Sequence, residues 1–205
     1  MATAVNGFFI KLMLLLLLCN FAAAQTLPEQ RNAQKWFVPA HIKLQFAGGI
    51  GMVSLGVGYS YAKEKMETDL FFGYVPRSKG KGLNSVTLKT TYIPARIALN
   101  NATAIDPFSV SMALNFTPGK NYFLGLPDHY PKKYYWWPSG LRTNLLIGSR
   151  LHRDFAKMPL FASADWYWEM GTNDLYVLSR AVNKDAPPVG NLLFLGSGVK
   201  WRFRN

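Results

Sequence analysis

Cysteine is nearly absent from this 205-residue chain: the one thiol is Cys19, inside an amino-terminal apolar stretch. Acidic residues are also scarce, 11 against 23 Lys+Arg, and there are three histidines. No apolar run reaches the roughly 18 to 20 residues that a membrane-spanning helix requires, which excludes a helical membrane protein. Charged residues make up only 17% while aromatics reach 15%, which excludes a disordered polycation. What remains is 49% hydrophobic with a mean hydropathy of +0.01, at a length suited to a single domain.

The amino terminus carries an address. Residues 8–18 form an apolar run of signal-peptide length interrupted by Lys11, and Ala22, Ala23 and Ala24 offer small side chains for cleavage before Gln25. A rival reading makes Cys19 a lipid-modified cysteine, although Leu18 stands where such signals carry a small residue. Cleavage at Gln25 takes the basic residues from 23 to 22 against 11 acidic ones, a net charge of +11, and leaves no thiol. A disulfide scaffold, a zinc–thiolate cluster and a cysteine nucleophile are then excluded for the mature chain. The expected division is a signal peptide over 1–24, a periplasmic lead-in over 25–40, read as a short helix or an extended stretch, and a barrel over 41–205.

Beyond Pro39 the pattern turns to period two. Val53, Leu55, Val57, Tyr59 and Tyr61 alternate with Ser54, Gly56, Gly58 and Ser60; Val110, Met112, Leu114 and Phe116 alternate with Ser109, Ser111, Ala113 and Asn115. Leu145, Ile147 and Leu151 likewise oppose Asn144, Gly148, Arg150 and His152, and Leu195, Val199 and Trp201 oppose Gly196, Gly198, Lys200 and Arg202. A secreted β-sandwich would alternate too. Three features favour an all-β, eight-stranded antiparallel transmembrane β-barrel: a polar face rich in Gly and Ser, aromatics gathered near strand ends, and connections that alternate short with long.

Strands are expected near 41–48, 51–62, 67–76, 84–98, 107–117, 141–152, 160–170 and 192–203, with Gly48-Gly49 as a tight first turn or, failing that, the first two strands as one bent strand, and with Pro94 near the end of the fourth strand. The signal peptide, the eight alternating strands and the ending Val199-Lys200-Trp201-Arg202-Phe203-Arg204-Asn205 resemble the small outer-membrane β-barrels of Gram-negative bacteria. That resemblance implies the cell outer membrane, insertion by the barrel assembly machinery, contact with lipopolysaccharide, and a monomer. The family usually ends on an aromatic residue, whereas here Phe203 is followed by two more.

Three constellations are candidates for function. In the seventh strand, Ser163, Asp165, Tyr167 and Glu169 share the polar face, opposite Arg142, Arg150 and His152 of the sixth and Lys200 and Arg202 of the eighth. One reading is an internal salt-bridge network filling the barrel. The other is a hydrolase built from Ser163 or Ser149, His152, and Asp165 or Glu169, by analogy with the outer-membrane lipid A deacylases, whose paired Ser and His on one strand are not reproduced.

The second is the segment between Asn121 and Pro138, with seven aromatics, two Lys and one His. Tyr130, Lys132, Lys133, Tyr134, Tyr135, Trp136 and Trp137 read either as an interfacial girdle touching lipopolysaccharide phosphates or as a platform for a ligand or surface protein partner. The third, from Gly171 to Pro188, reads as a turn through Gly171, Asn173 and Asp174, with Asp174 too isolated for a calcium site. No metal, no cofactor and no nucleic acid is expected. The role read from these features is structural or surface-binding, with acyl hydrolysis or transfer on lipid A as the enzymatic alternative.

Overall fold

The computed structural model describes residues 38–79, 82–119, 140–182 and 189–204. The expected signal peptide, most of the lead-in and the aromatic segment around Tyr134 lie outside the described residues. The strands are β1 (His41–Ala47), β2 (Val53–Tyr61), β3 (Met66–Val75), β4 (Leu83–Tyr92), β5 (Ile97–Asn100), β6 (Thr103–Phe116), β7 (Leu141–Asp154), β8 (Phe161–Asn173) and β9 (Phe194–Phe203). All pair antiparallel, in the order β4-β3-β2-β1-β9-β8-β7-β6, and β4 then pairs with β6 from Val86↔Phe116 to Tyr92↔Val110. That last pairing closes an eight-stranded barrel, and among the described residues there is no second sheet for a sandwich. No helix among the described residues is long and apolar enough to cross a membrane.

The fourth strand is shorter than its sequence pattern suggests. Expected over 84–98, it ends at Tyr92, because Pro94 has no N–H to give the ladder and restricts the residue before it. The chain leaves the wall over 93–96 and returns as β5, which pairs only with the first residues of β6 and lies outside the closed ring. At the other end of the barrel, the turn expected through Gly171, Asn173 and Asp174 is a helix start. β8 runs on to Asn173, and Asn173 Oδ1 accepts the Tyr176 N–H (2.9 Å), capping helix α1 (Asp174–Val182). Asp174 Oδ1 accepts the Leu175 N–H at 2.8 Å, and burial pushes the Asp174 carboxyl above its ordinary pKa.

The alternation resolves into an inside-out protein. Leu55, Val57, Leu70, Phe72, Leu88, Val110, Ile147, Trp166 and Leu195 point outward and are exposed, whereas Lys43, Gln45, Glu67, Asp69, Lys89, Asp106, Arg150, Asp165 and Lys200 are buried. An ordinary globular domain has the opposite arrangement. Tyr59 and Tyr92 at one end of the barrel, and Phe46 and Tyr74 at the other, place exposed aromatics near both rims.

The two ends differ. Short turns connect strands at the end holding His41, Tyr61, Tyr92 and Phe203. The opposite mouth is closed by the first hairpin loop, which turns at Gly48-Gly49 as expected and then folds inward over the lumen. Ala47, Gly48 and Gly49 take positive φ in succession, and this coil carries Ile50 into the lumen, where it is 1% exposed. Ser85 Oγ donates to Ile50 O (2.5 Å) and Asn115 Nδ2 donates to Gly49 O (3.1 Å), fixing the plug.

Candidate functional site

The lumen is filled by ion pairs arranged along its axis. Near the plugged mouth, Lys89 Nζ lies 2.5 Å from Glu169 Oε2. Glu169 Oε1 also accepts from Gln45 Nε2 at 2.8 Å, and Tyr167 Oη donates to Gln45 Oε1 at 3.0 Å. The Lys43 and Lys89 ammonium groups sit 5.7 and 5.5 Å from the Tyr167 ring centre, close enough for cation–π attraction.

Deeper in, Glu67 is the hub. Its carboxylate accepts from Lys43 (2.7 Å), Arg150 (2.7 Å) and Lys200 (2.8 Å). Lys43 also reaches Asp69 at 2.6 Å, and Lys200 reaches Asp165 at 2.5 Å. Toward the short-turn end, Arg96 grips Asp106 with Nε at 2.8 Å and Nη2 at 2.9 Å, and these bonds hold its guanidinium protonated more firmly than usual. Five buried carboxylates, Glu67, Asp69, Asp106, Asp165 and Glu169, therefore face Lys43, Lys89, Arg150, Lys200 and Arg96. This pairing lets full charges lie where an isolated ion would be prohibitively costly.

Donor atoms of His41, Glu67 and Asp69 approach within 4.8 Å of one another, a spacing a divalent cation could use. The ammonium and guanidinium groups already satisfy those two carboxylates, so the charge a metal would bring is in place.

The candidates expected from sequence do share the lumen face, but they do not form a relay. His152 Nδ1 lies 2.5 Å from Asp165 Oδ1 and its Nε2 lies 3.1 Å from Asp154 Oδ1, so each ring nitrogen faces a carboxylate and none is offered to a serine. Ser163 Oγ is buried with no hydrogen-bond partner. Ser149 Oγ donates to the Asp106 backbone carbonyl at 2.9 Å. Glu169 belongs to the plugged half with Lys89, far along β8 from Ser163. Of the inward cations expected, Arg150 and Lys200 pair with buried carboxylates, Arg142 Nη1 donates to the Leu141 carbonyl (3.3 Å), and Arg202 spans to Glu64. Tyr130, Lys132, Lys133, Tyr134, Tyr135, Trp136 and Trp137 lie outside the described residues.

A different serine meets a histidine. His41, the first residue of β1, is fully buried; its Nε2 lies 2.7 Å from Asp69 Oδ1 and its Nδ1 lies 3.2 Å from Ser60 Oγ. Each of these residues sits on the polar face that period two assigns to its strand. Their meeting depends on the β1–β2 and β2–β3 registers, His41↔Gly58 and Gly58↔Asp69, which alternation alone does not supply.

Comparisons with family models, with curated proteins and with solved structures find no match.

Proposed function

We propose that this chain is a small outer-membrane β-barrel of a Gram-negative envelope, delivered by the cleaved peptide over 1–24 and inserted by the barrel assembly machinery. The observation that carries the reading is the inside-out distribution of residues around a closed ring. An apolar exterior on every strand would be a liability in water and is what a hydrocarbon solvent selects.

Its role is structural or surface-binding. Eight strands leave room only for side chains, and here ion pairs and Ile50 fill that room, so diffusive transport through the lumen is not supported. Function then falls to the loops at the plugged mouth. With the amino terminus in the periplasm, that mouth faces outward, and Tyr130, Lys132, Lys133, Tyr134, Tyr135, Trp136 and Trp137 lie on the long connection there. Their aromatic rings suit the headgroup boundary, and the two lysines suit the phosphates of lipopolysaccharide or a surface protein partner.

Deleting residues 134–137 is expected to leave the folded, heat-modifiable gel band intact while weakening binding to lipopolysaccharide aggregates by about tenfold or more. A deletion that binds as well as the parent would remove the segment from the binding role. Loss of the folded band would make it a structural girdle instead.

A further inference from the structure

We infer that Ser60 is the nucleophile of a serine esterase site at the short-turn mouth of the barrel, with His41 as its general base and Asp69 as the residue that positions His41. Lys43 neutralises Asp69 at 2.6 Å, so the Asp69 carboxylate stays ionised and accepts from His41 Nε2–H. That bond fixes the imidazole tautomer. The lone pair is then on Nδ1, and the group facing it at 3.2 Å is the Ser60 hydroxyl, which donates. His152 cannot serve a serine in this way, because carboxylates face both of its nitrogens.

The surroundings fit that task. A Cβ at position 58 would collide with both His41 Nε2 and Asp69 Oδ1, so Gly58 is what allows the ring and the carboxylate to meet. Ser60 is the last lumen-facing residue of β2 and is half-buried, unlike the sealed Ser163. Arg202, opposite His41 across β9 and β1, reaches over this face to Glu64 in the turn just beyond Ser60, with Nη2 at 2.7 Å from Oε2. Its buried Nε–H has no acceptor.

The turn itself is strained, since Ala62, Lys63 and Glu64 all adopt left-handed φ without glycine. Lys63 and Lys65 are exposed on it, so the mouth favours an acyl ester with an anionic headgroup.

The chemistry balances without a cofactor. Ser60 Oγ adds to the ester carbonyl carbon as its proton passes to His41 Nδ1, and the departing alcohol leaves with that proton. Water then adds to the acyl–Ser60 ester through the same base. The carboxylic acid departs and the proton returns to Ser60 Oγ.

The test is labelling of the detergent-folded mature barrel with diisopropyl fluorophosphate, in which an Oγ–phosphorus bond forms and fluoride leaves, followed by peptide mapping. The expected adduct is on Ser60. Ser60→Ala should lower labelling more than about a hundredfold with the folded band retained, while Ser163→Ala labels like the parent. In folded Asp69→Asn the labelling rate should fall and its pH profile should shift, a change that a purely structural carboxylate would not produce. Absence of any adduct in the folded parent, or an adduct on another residue, overturns the assignment. Because mapping uses the parent barrel in detergent, it reads this site whether or not the barrel resides in an outer membrane.

Discussion

Replacing Glu67 with glutamine is expected to destabilise the folded barrel by about 3–5 kcal/mol, the scale seen when one partner of a buried ion pair is removed. Glu67 is 1% exposed and is shared by Lys43, Arg150 and Lys200, all of them buried. Glutamine keeps the volume and one carbonyl acceptor but removes the charge. Lys43 retains Asp69, Lys200 retains Asp165 at 2.5 Å, and Arg150 keeps Asp165 at 3.5 Å and Asp106 at 3.6 Å, so the three cations would be left with Asp69, Asp165 and the Asp106 that Arg96 already grips. Urea unfolding of the barrel in detergent, followed by loss of the folded gel band, measures the change. A difference below about 1 kcal/mol would mean that water screens the network as it does at a protein surface, and the lumen would have to be wet.

The second large effect is on the opposite face. Leu70 is 52% exposed in the middle of β3, between Val57 and Leu88 on the neighbouring strands. In water, arginine at such a position would alter stability by no more than about 0.5 kcal/mol. Facing the middle of a bilayer, it is expected to cost about 2–4 kcal/mol. Folding Leu70→Arg into lipid vesicles and comparing its unfolding midpoint with that of the parent separates the two environments. A neutral outcome in vesicles would remove the hydrocarbon belt from the account.

These two faces were legible in the sequence because period two is a local property. Val53 to Tyr61 already displays which residues share a side, and the Gly and Ser opposite them already suggest a crowded interior. The shared face of Lys200 and Arg150 in a salt-bridge network follows from the same pattern, while the order of the strands is read from their alternating short and long connections. Two features of the wall did not follow from it. The end of β4 at Tyr92 was masked by apolar residues continuing through Ile97 and Leu99, and Pro94 decided against them. The Asn173-Asp174 pair can cap a helix as well as make a turn, and the choice rests on residues that come after it.

The functional pairing was harder still. Ser163 and His152 are close in the pattern, a serine and a histidine on neighbouring strands. In the barrel His152 is claimed by Asp165 and Asp154, while His41 and Ser60, 19 residues apart across the first hairpin, make the serine–histidine bond. Which histidine meets which serine is set by register and by the inward coil at Ala47 to Gly49. Neither is written in the alternation of polar and apolar residues.

The scarcity of cysteine makes the central claim directly testable, because a mature chain starting at Gln25 has no thiol of its own. Single cysteines placed in turn at positions 68 to 73 of β3, spin-labelled and reconstituted in lipid bilayers, can be probed with oxygen and with a water-soluble nickel complex. The expected result is a period of two: labels at 68, 70 and 72 collide with oxygen dissolved in lipid and are shielded from nickel, while those at 69, 71 and 73 are shielded from both. Labels at 70 and 72 open to the nickel complex, or a mature chain that stays in solution without detergent, would contradict the inside-out barrel in a membrane.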